Sequence, residues 1–238
     1  RYSSAASDVY KRQVDIGWGI GFCIITATGF FKYSEATPTQ QIVTALVFLW
    51  ALRLSGYILI RNRGRGEDFR YENWRNEWGK TFVWRSFLQV FMLQGLIMLI
   101  ISLPVISVFT NPTSGISPWV WTGMALWVVG WLCETIADFQ MLKFKSVPTN
   151  KGKIMQTGLW KYSRHPNYFG EALLWWGLFF ISVPAGNWYI SIVSPVLLTF
   201  LLLKVSGVTM LEEKYVGNSK YDEYKRRTSA FIPLPPKQ

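Results

Sequence analysis

Apolar residues gather along this chain into long blocks separated by short polar connections, instead of alternating with polar residues as a half-buried strand would. A block of about 20 mostly apolar residues matches the ~30 Å hydrocarbon thickness of a bilayer. Inside lipid the backbone must satisfy its own hydrogen bonds, so such blocks form helices. The pattern predicts spans at roughly 15–32, 41–60, 83–103, 118–140, 168–185 and 188–207. The expected fold is therefore an all-α, polytopic transmembrane bundle of about six spans, and a helix missing ahead of residue 14 would make a seventh. Residues 1–13 are polar and resemble neither a signal peptide nor the rest of the chain. They are set apart as a non-native-looking or disordered segment, and residues 14–238 are read as one transmembrane domain.

Half of the 238 residues are hydrophobic, and their block-wise distribution excludes an ordinary soluble core. The net charge of +11 would suit nucleic acid if it formed a stripe, but the basic residues flank the apolar blocks. Loop 61–82 holds Arg61, Arg63, Arg65, Arg70, Arg75 and Lys80, and loop 143–167 holds Lys143, Lys145, Lys151, Lys153, Lys161 and Arg164. Segments 104–117 and 184–188 carry no charge. By the positive-inside rule the basic loops and both termini are cytoplasmic, the bilayer is the partner, and nucleic acid is not. Cys23 and Cys133 sit inside apolar blocks, giving neither a disulfide framework nor a metal-ligand spacing. Gly17, Gly19 and Gly21 offer close helix packing in the first span.

Chemistry concentrates at the basic ends of the blocks. The stretch Thr157 to Glu171 contains the single histidine, in the order Arg164-His165-Pro166-Asn167-Tyr168. Pro166 disfavours helical geometry at His165, and Asn167 stands where the fifth span begins. A helix N-terminus beside Lys153, Lys161, Arg164 and His165 suits an anion such as phosphate, although a basic loop that merely fixes topology reads the same way. Glu134, Asp138 and Lys145, spaced by four and seven, share one face of the fourth span. Acids this near hydrocarbon call for partners or a polar cavity. Arg53 and Tyr57 lie in the second span, where an intramembrane arginine is a candidate site residue by default.

These motifs resemble the steroid 5-alpha-reductase superfamily, in particular its bacterial branch of unknown substrate with the reductase C-terminal domain. The resemblance runs from about Val14 to Pro233. It is strongest in Gly158 to Glu171, in Ser206-Gly207-Val208, and from Tyr221 to Pro233. It implies NADPH bound from the cytoplasmic side and reduction of a carbon–carbon double bond conjugated to a carbonyl, in a lipid or steroid-like substrate. By position it implies cofactor contacts at Glu134, Asp138, Lys145, Lys153, Arg164, His165, Asn167, Tyr168, Glu171 and Lys204. Glu134 replaces an Asn usual in the reductases, and Arg53-Leu54 stands where they have Gln-Glu, so the carbonyl-polarising role passes to Arg53 or Tyr57.

The Arg-His-Pro-Asn-Tyr element is also similar to that of isoprenylcysteine carboxyl methyltransferases, which use S-adenosylmethionine and end in a Glu-Glu segment like Glu212-Glu213. The basic cluster favours NADPH, since S-adenosylmethionine has no phosphate to neutralise. A non-catalytic lipid-binding protein is the remaining alternative.

Overall fold

The computed structural model describes residues 4–32, 35–62 and 76–237. The basic residues Arg63, Arg65, Arg70 and Arg75 of the first predicted cytoplasmic loop lie outside them. The described chain is helical. Its elements are α1 (Ser4–Lys32), α2 (Pro38–Asn62), α3 (Asn76–Ile101), α4 (Leu103–Thr110), α5 (Pro118–Ser146), α6 (Pro166–Ser182), α7 (Trp188–Glu213) and α8 (Ser219–Arg227). No strand forms among the described residues, and the one extended contact is an isolated bridge between Ser163 and Ser229.

Five of these helical stretches are long and apolar enough to cross a membrane: Pro38–Arg61, Asn76–Ile101, Pro118–Ser146, Pro166–Ala185 and Trp188–Glu213. They coincide with five of the six predicted spans and make this an all-α, multi-pass membrane bundle. The remaining predicted span, 15–32, falls within α1, which starts at Ser4 and so runs unbroken out of the segment set apart as 1–13.

Packing explains why the helices sit where they do. Gly123 and Gly130 of α5 face Gly177 and Gly170 of α6. A Cβ on Gly123 would stand 2.5 Å from the Gly177 carbonyl, and one on Gly170 would stand 2.5 Å from the Glu134 amide. In lipid, where burying apolar surface gives helices no reason to associate, such backbone contact is what small residues supply. Gly19 of α1 likewise leaves room for the Ala51 carbonyl, 2.9 Å from where its Cβ would be. Gly21 makes room for the Met98 thioether, whereas Gly17 meets nothing. Two of the three glycines are thus packing residues.

An aromatic knot joins α1, α2 and α6. Phe22 lies 4.8 Å from Trp175 and 5.3 Å from Trp50, and Trp50 meets Trp175 edge-on at 5.4 Å. These tilted and edge-to-face arrangements suit the ring quadrupoles. α7 loosens into a π turn over Leu201–Val205 and resumes at Val208. At that break the Leu202 carbonyl crowds the place a Cβ on Gly207 would take. α8 is a surface helix capped by the Asn218 side chain, which accepts from the Lys220 and Tyr221 amides at 3.1 and 3.2 Å. Lys225, Arg226 and Arg227 complement the dipole in its last turn.

Candidate functional site

A cavity of about 270 Å³ opens between α1, α2, α5 and α6. Trp18, Trp50, Leu54 and Ile58 form an apolar wall from α1 and α2. Glu134, Asp138, Asn167, Tyr168 and Glu171 form a polar wall from α5 and α6, with Tyr57 and Arg61 completing the lining. The split has a sequence cause: a four-residue step brings Glu134 and Asp138 to one face of α5, and another brings Asn167 and Glu171 to one face of α6.

Arg53 reaches this polar wall from α2. One terminal nitrogen donates to Asp138 Oδ2 at 2.8 Å and the other to Glu134 Oε1 in a close pair. Its side chain is 10% exposed, against 4% for Glu134 and 7% for Asp138. One positive and two negative charges this deep are tolerable only because each carboxylate is paired with the guanidinium. Asn167 Nδ2 adds a 3.3 Å bond to Asp138 Oδ1. Four buried polar atoms nevertheless have no partner among the described residues: Arg53 Nε, Glu134 Oε2, Asn167 Oδ1 and Trp50 Nε1. Buried polar groups in proteins are nearly always satisfied, so this set marks a place where a ligand or water would bond.

A second polar cluster lies at the entrance to α6. Arg164 Nε donates to Glu212 Oε1 at 2.8 Å, and its Nη1 donates to the Thr228 and Lys225 carbonyls at 2.6 and 3.1 Å. It therefore caps the C-terminal end of α8. The Arg164 amide donates to the Ser229 carbonyl at 2.9 Å, Ser163 Oγ to the Phe231 carbonyl at 2.8 Å, and the Leu234 amide to the Tyr162 carbonyl at 3.0 Å. Tyr224 closes the cluster by donating to the Trp160 carbonyl. Burial pushes the Tyr224 hydroxyl above its ordinary value. His165 Nε2 lies 3.3 Å from Glu212 Oε1. Burial pushes its imidazole below the usual value, against the opposing pull of Glu212.

The candidates from sequence thus divide three ways. Arg53, Tyr57, Glu134, Asp138, Asn167, Tyr168 and Glu171 converge on the cavity. Arg164 and His165 turn into the C-terminal segment instead of toward a ligand, and both are buried. Lys145, Lys153 and Lys204 are exposed and line no part of the cavity. Lys145 shares the azimuth of Glu134 but stands three turns farther along α5.

Residues 4–228 match the protein family described as being of unknown function, DUF1295. The chain belongs to this family. An uncharacterised protein of Schizosaccharomyces pombe is 27% identical over 225 residues, covering 81% of this chain and 62% of that protein. The chain therefore spans less than two thirds of that relative's length. A probable O-methyltransferase of Ustilaginoidea virens is 38% identical over 52 residues, 22% of this chain and 18% of that protein.

Several residues of the two clusters carry no signal in the sequence pattern. Trp18 and Trp50 line the cavity, yet in a sequence with thirteen tryptophans neither stands out. Glu212 is visible in its Glu-Glu pair, but nothing in the pattern links it to Arg164 and His165 across some 47 residues.

Proposed function

We propose that the protein is a membrane enzyme that reduces a carbon–carbon double bond conjugated to a carbonyl in a lipid or steroid-like substrate, with NADPH as cofactor. The observation that carries the reading is the ionic wall: Arg53, Glu134 and Asp138 are paired yet leave orphan polar atoms beside a cavity between helices long and apolar enough to cross a membrane. Intramembrane charges of this kind are costly and mark function. About 270 Å³ lies just below the ~300–1,000 Å³ of typical ligand pockets, so the cavity takes the reactive end of a dinucleotide and not the whole.

The residues fit that end. Glu134 Oε2 and Asn167 Oδ1 are acceptors suited to the amide donors of a carboxamide, and Trp18, Trp50, Tyr57 and Tyr168 offer faces for a flat ring. The bound cofactor would supply a hydride. Arg53 commits both terminal nitrogens to carboxylates, so its work is to hold Glu134 and Asp138 in place. Tyr57, one turn on, lines the cavity, and its hydroxyl, which Asp138 orients, is the better candidate to donate a hydrogen bond to the substrate carbonyl and stabilise the developing enolate. In this reading the basic ends of the helices, Arg61, Lys145 and Lys153 among them, face the cytoplasm and meet the phosphates.

Methyl transfer from S-adenosylmethionine is the second reading. Glu134, Asp138 and Glu171 outnumber Arg61 in the lining, which suits a sulfonium cation, and the short similarity to a probable O-methyltransferase points the same way. Titration of NADPH, NADH and S-adenosylmethionine into the full chain in detergent decides. NADPH binding that exceeds both others supports reduction. S-adenosylmethionine binding alone transfers the case to methylation, and retained lipid with no affinity for any of the three makes the protein a lipid binder.

A further inference from the structure

Tyr168 lines the cavity from α6, and its ring lies 5.6 Å from that of His165 with the planes 6° from parallel. His165 is 4% exposed and sets Nε2 against Glu212 Oε1 at 3.3 Å. The same carboxylate oxygen accepts from Arg164 Nε at 2.8 Å, and Glu212 Oε2 stands 3.3 Å from Lys225 Nζ. One side chain near the end of α7 thus ties the loop before α6 to α8. A carboxylate only accepts, so a neutral imidazole facing it carries its proton on Nε2. The ring is then held at one edge by Glu212 and on one face by Tyr168.

We propose that Glu212 is a positioning residue for the cavity: it fixes the Nε2–H tautomer of His165 and holds that ring flat against Tyr168, so the C-terminal segment shapes the cavity wall. The consequence reaches from the tail to the site through two side chains. Deleting or displacing the segment from Val208 onward would release His165 and free Tyr168 to turn, although none of those residues lines the cavity.

Among the described residues, charged and titratable groups around the imidazole are few. Glu212 faces it from α7, Arg164 adjoins it on its own loop, and Tyr168 covers it from α6. Lys225 and Tyr221 of α8 meet Glu212 from the other side. Among them Glu212 favours the imidazolium, whereas Arg164 and burial oppose it. Removing the Glu212 charge must therefore move the His165 titration to lower pH.

His165 is the one histidine of the chain, so nitrogen-15 histidine in the full-length protein in nanodiscs reports a single imidazole. Carbon-13 tyrosine, with the Tyr168 signal assigned by its loss in Tyr168→Phe, reports the cavity wall. The wild type should show the Nε2–H tautomer. Glu212→Gln, which keeps the side-chain shape, should mix the tautomers, lower the titration midpoint and shift the Tyr168 signal; Glu212→Asp should restore part of the tautomer preference. An Nδ1–H wild type, or an unmoved Tyr168 signal in Glu212→Gln, overturns the proposal. NADPH is a separate arm that rests on the proposed function: Glu212→Gln should weaken it about tenfold, the scale of one lost charge-assisted contact. Absence of NADPH binding to the wild type removes the cofactor reading, and the tautomer and tyrosine signals then decide the role of Glu212 by themselves.

Discussion

The cavity cluster around Arg53 and the tail cluster around Arg164 use the same chemistry, a buried guanidinium held by carboxylate, to opposite ends. Around Arg164, Nε and Nη1 meet Glu212 and two carbonyls, and none of the cluster's buried atoms is left unpaired among the described residues. Around Arg53, Glu134 Oε2, Asn167 Oδ1 and Arg53 Nε stay open beside a cavity. A closed network fixes structure, whereas an open one keeps binding capacity at a cost in stability. The contrast implies that mutations in the tail cluster act on folding first, and mutations in the cavity act on ligand affinity first.

The largest effect expected is that of Arg164→Ala. It leaves two carbonyls at the end of α8 without their donor and Glu212 with Lys225 and His165 alone, and breaking one partner of a buried pair costs up to about 3–5 kcal/mol. Thermal unfolding in detergent should show a large loss, with any ligand affinity that survives in folded protein reduced far less. Unchanged stability would break the comparison at its tail end.

Gly170→Ala tests the hinge between the two regions. Gly170 lies one turn into α6, and the added methyl would press on the Glu134 amide. Overpacking of this kind costs about 1–3 kcal/mol, and here the displaced backbone also carries Glu134 away from Asn167. Stability and affinity should fall together. A loss of stability alone would mean that α5 recovers its register by moving elsewhere.

These two positions also show what is legible in the sequence. Block length gives five membrane helices at nearly their observed bounds, because hydrocarbon thickness is a one-dimensional constraint. The i, i+4 steps at Glu134 and Asp138 and at Asn167 and Glu171 place each pair on a face, since helical azimuth is likewise local. Depth and partner are not local. Lys145 shares an azimuth with Glu134 yet ends exposed, three turns from Glu134 and outside the cavity lining. Arg164, expected from its basic loop to meet phosphate, pairs with a carboxylate 48 residues away, and no spacing rule encodes that contact.

A smaller structural effect and a sharp functional one are expected from Glu134→Gln. Arg53 keeps its 2.8 Å bond to Asp138, and the amide preserves shape. The stability cost should be about 1–2 kcal/mol, near the lower range for a hydrogen bond to a charged group. NADPH affinity should nevertheless fall at least tenfold in the same titration. A greater loss of stability than in Arg164→Ala would reverse the assignment of the open and closed networks.

The smallest effect is pH dependence through His165, and its sign follows from burial. The folded imidazole titrates below its ordinary value of 6.5, so between the two values the unfolded chain binds more protons than the folded one. Stability then rises with pH across that interval: the contribution of His165 is complete above about pH 6.5 and is lost as the pH falls through that value toward the lower folded one. Glu212 limits the interval by favouring the imidazolium, so Glu212→Gln should widen it and steepen the loss on the acid side. His165→Gln should flatten the profile, since no proton is left to bind there. Unfolding temperatures measured between about pH 7.5 and 5.5 separate these cases. A wild-type slope retained in His165→Gln would assign acid sensitivity to another group and leave the tail cluster closed but indifferent to pH.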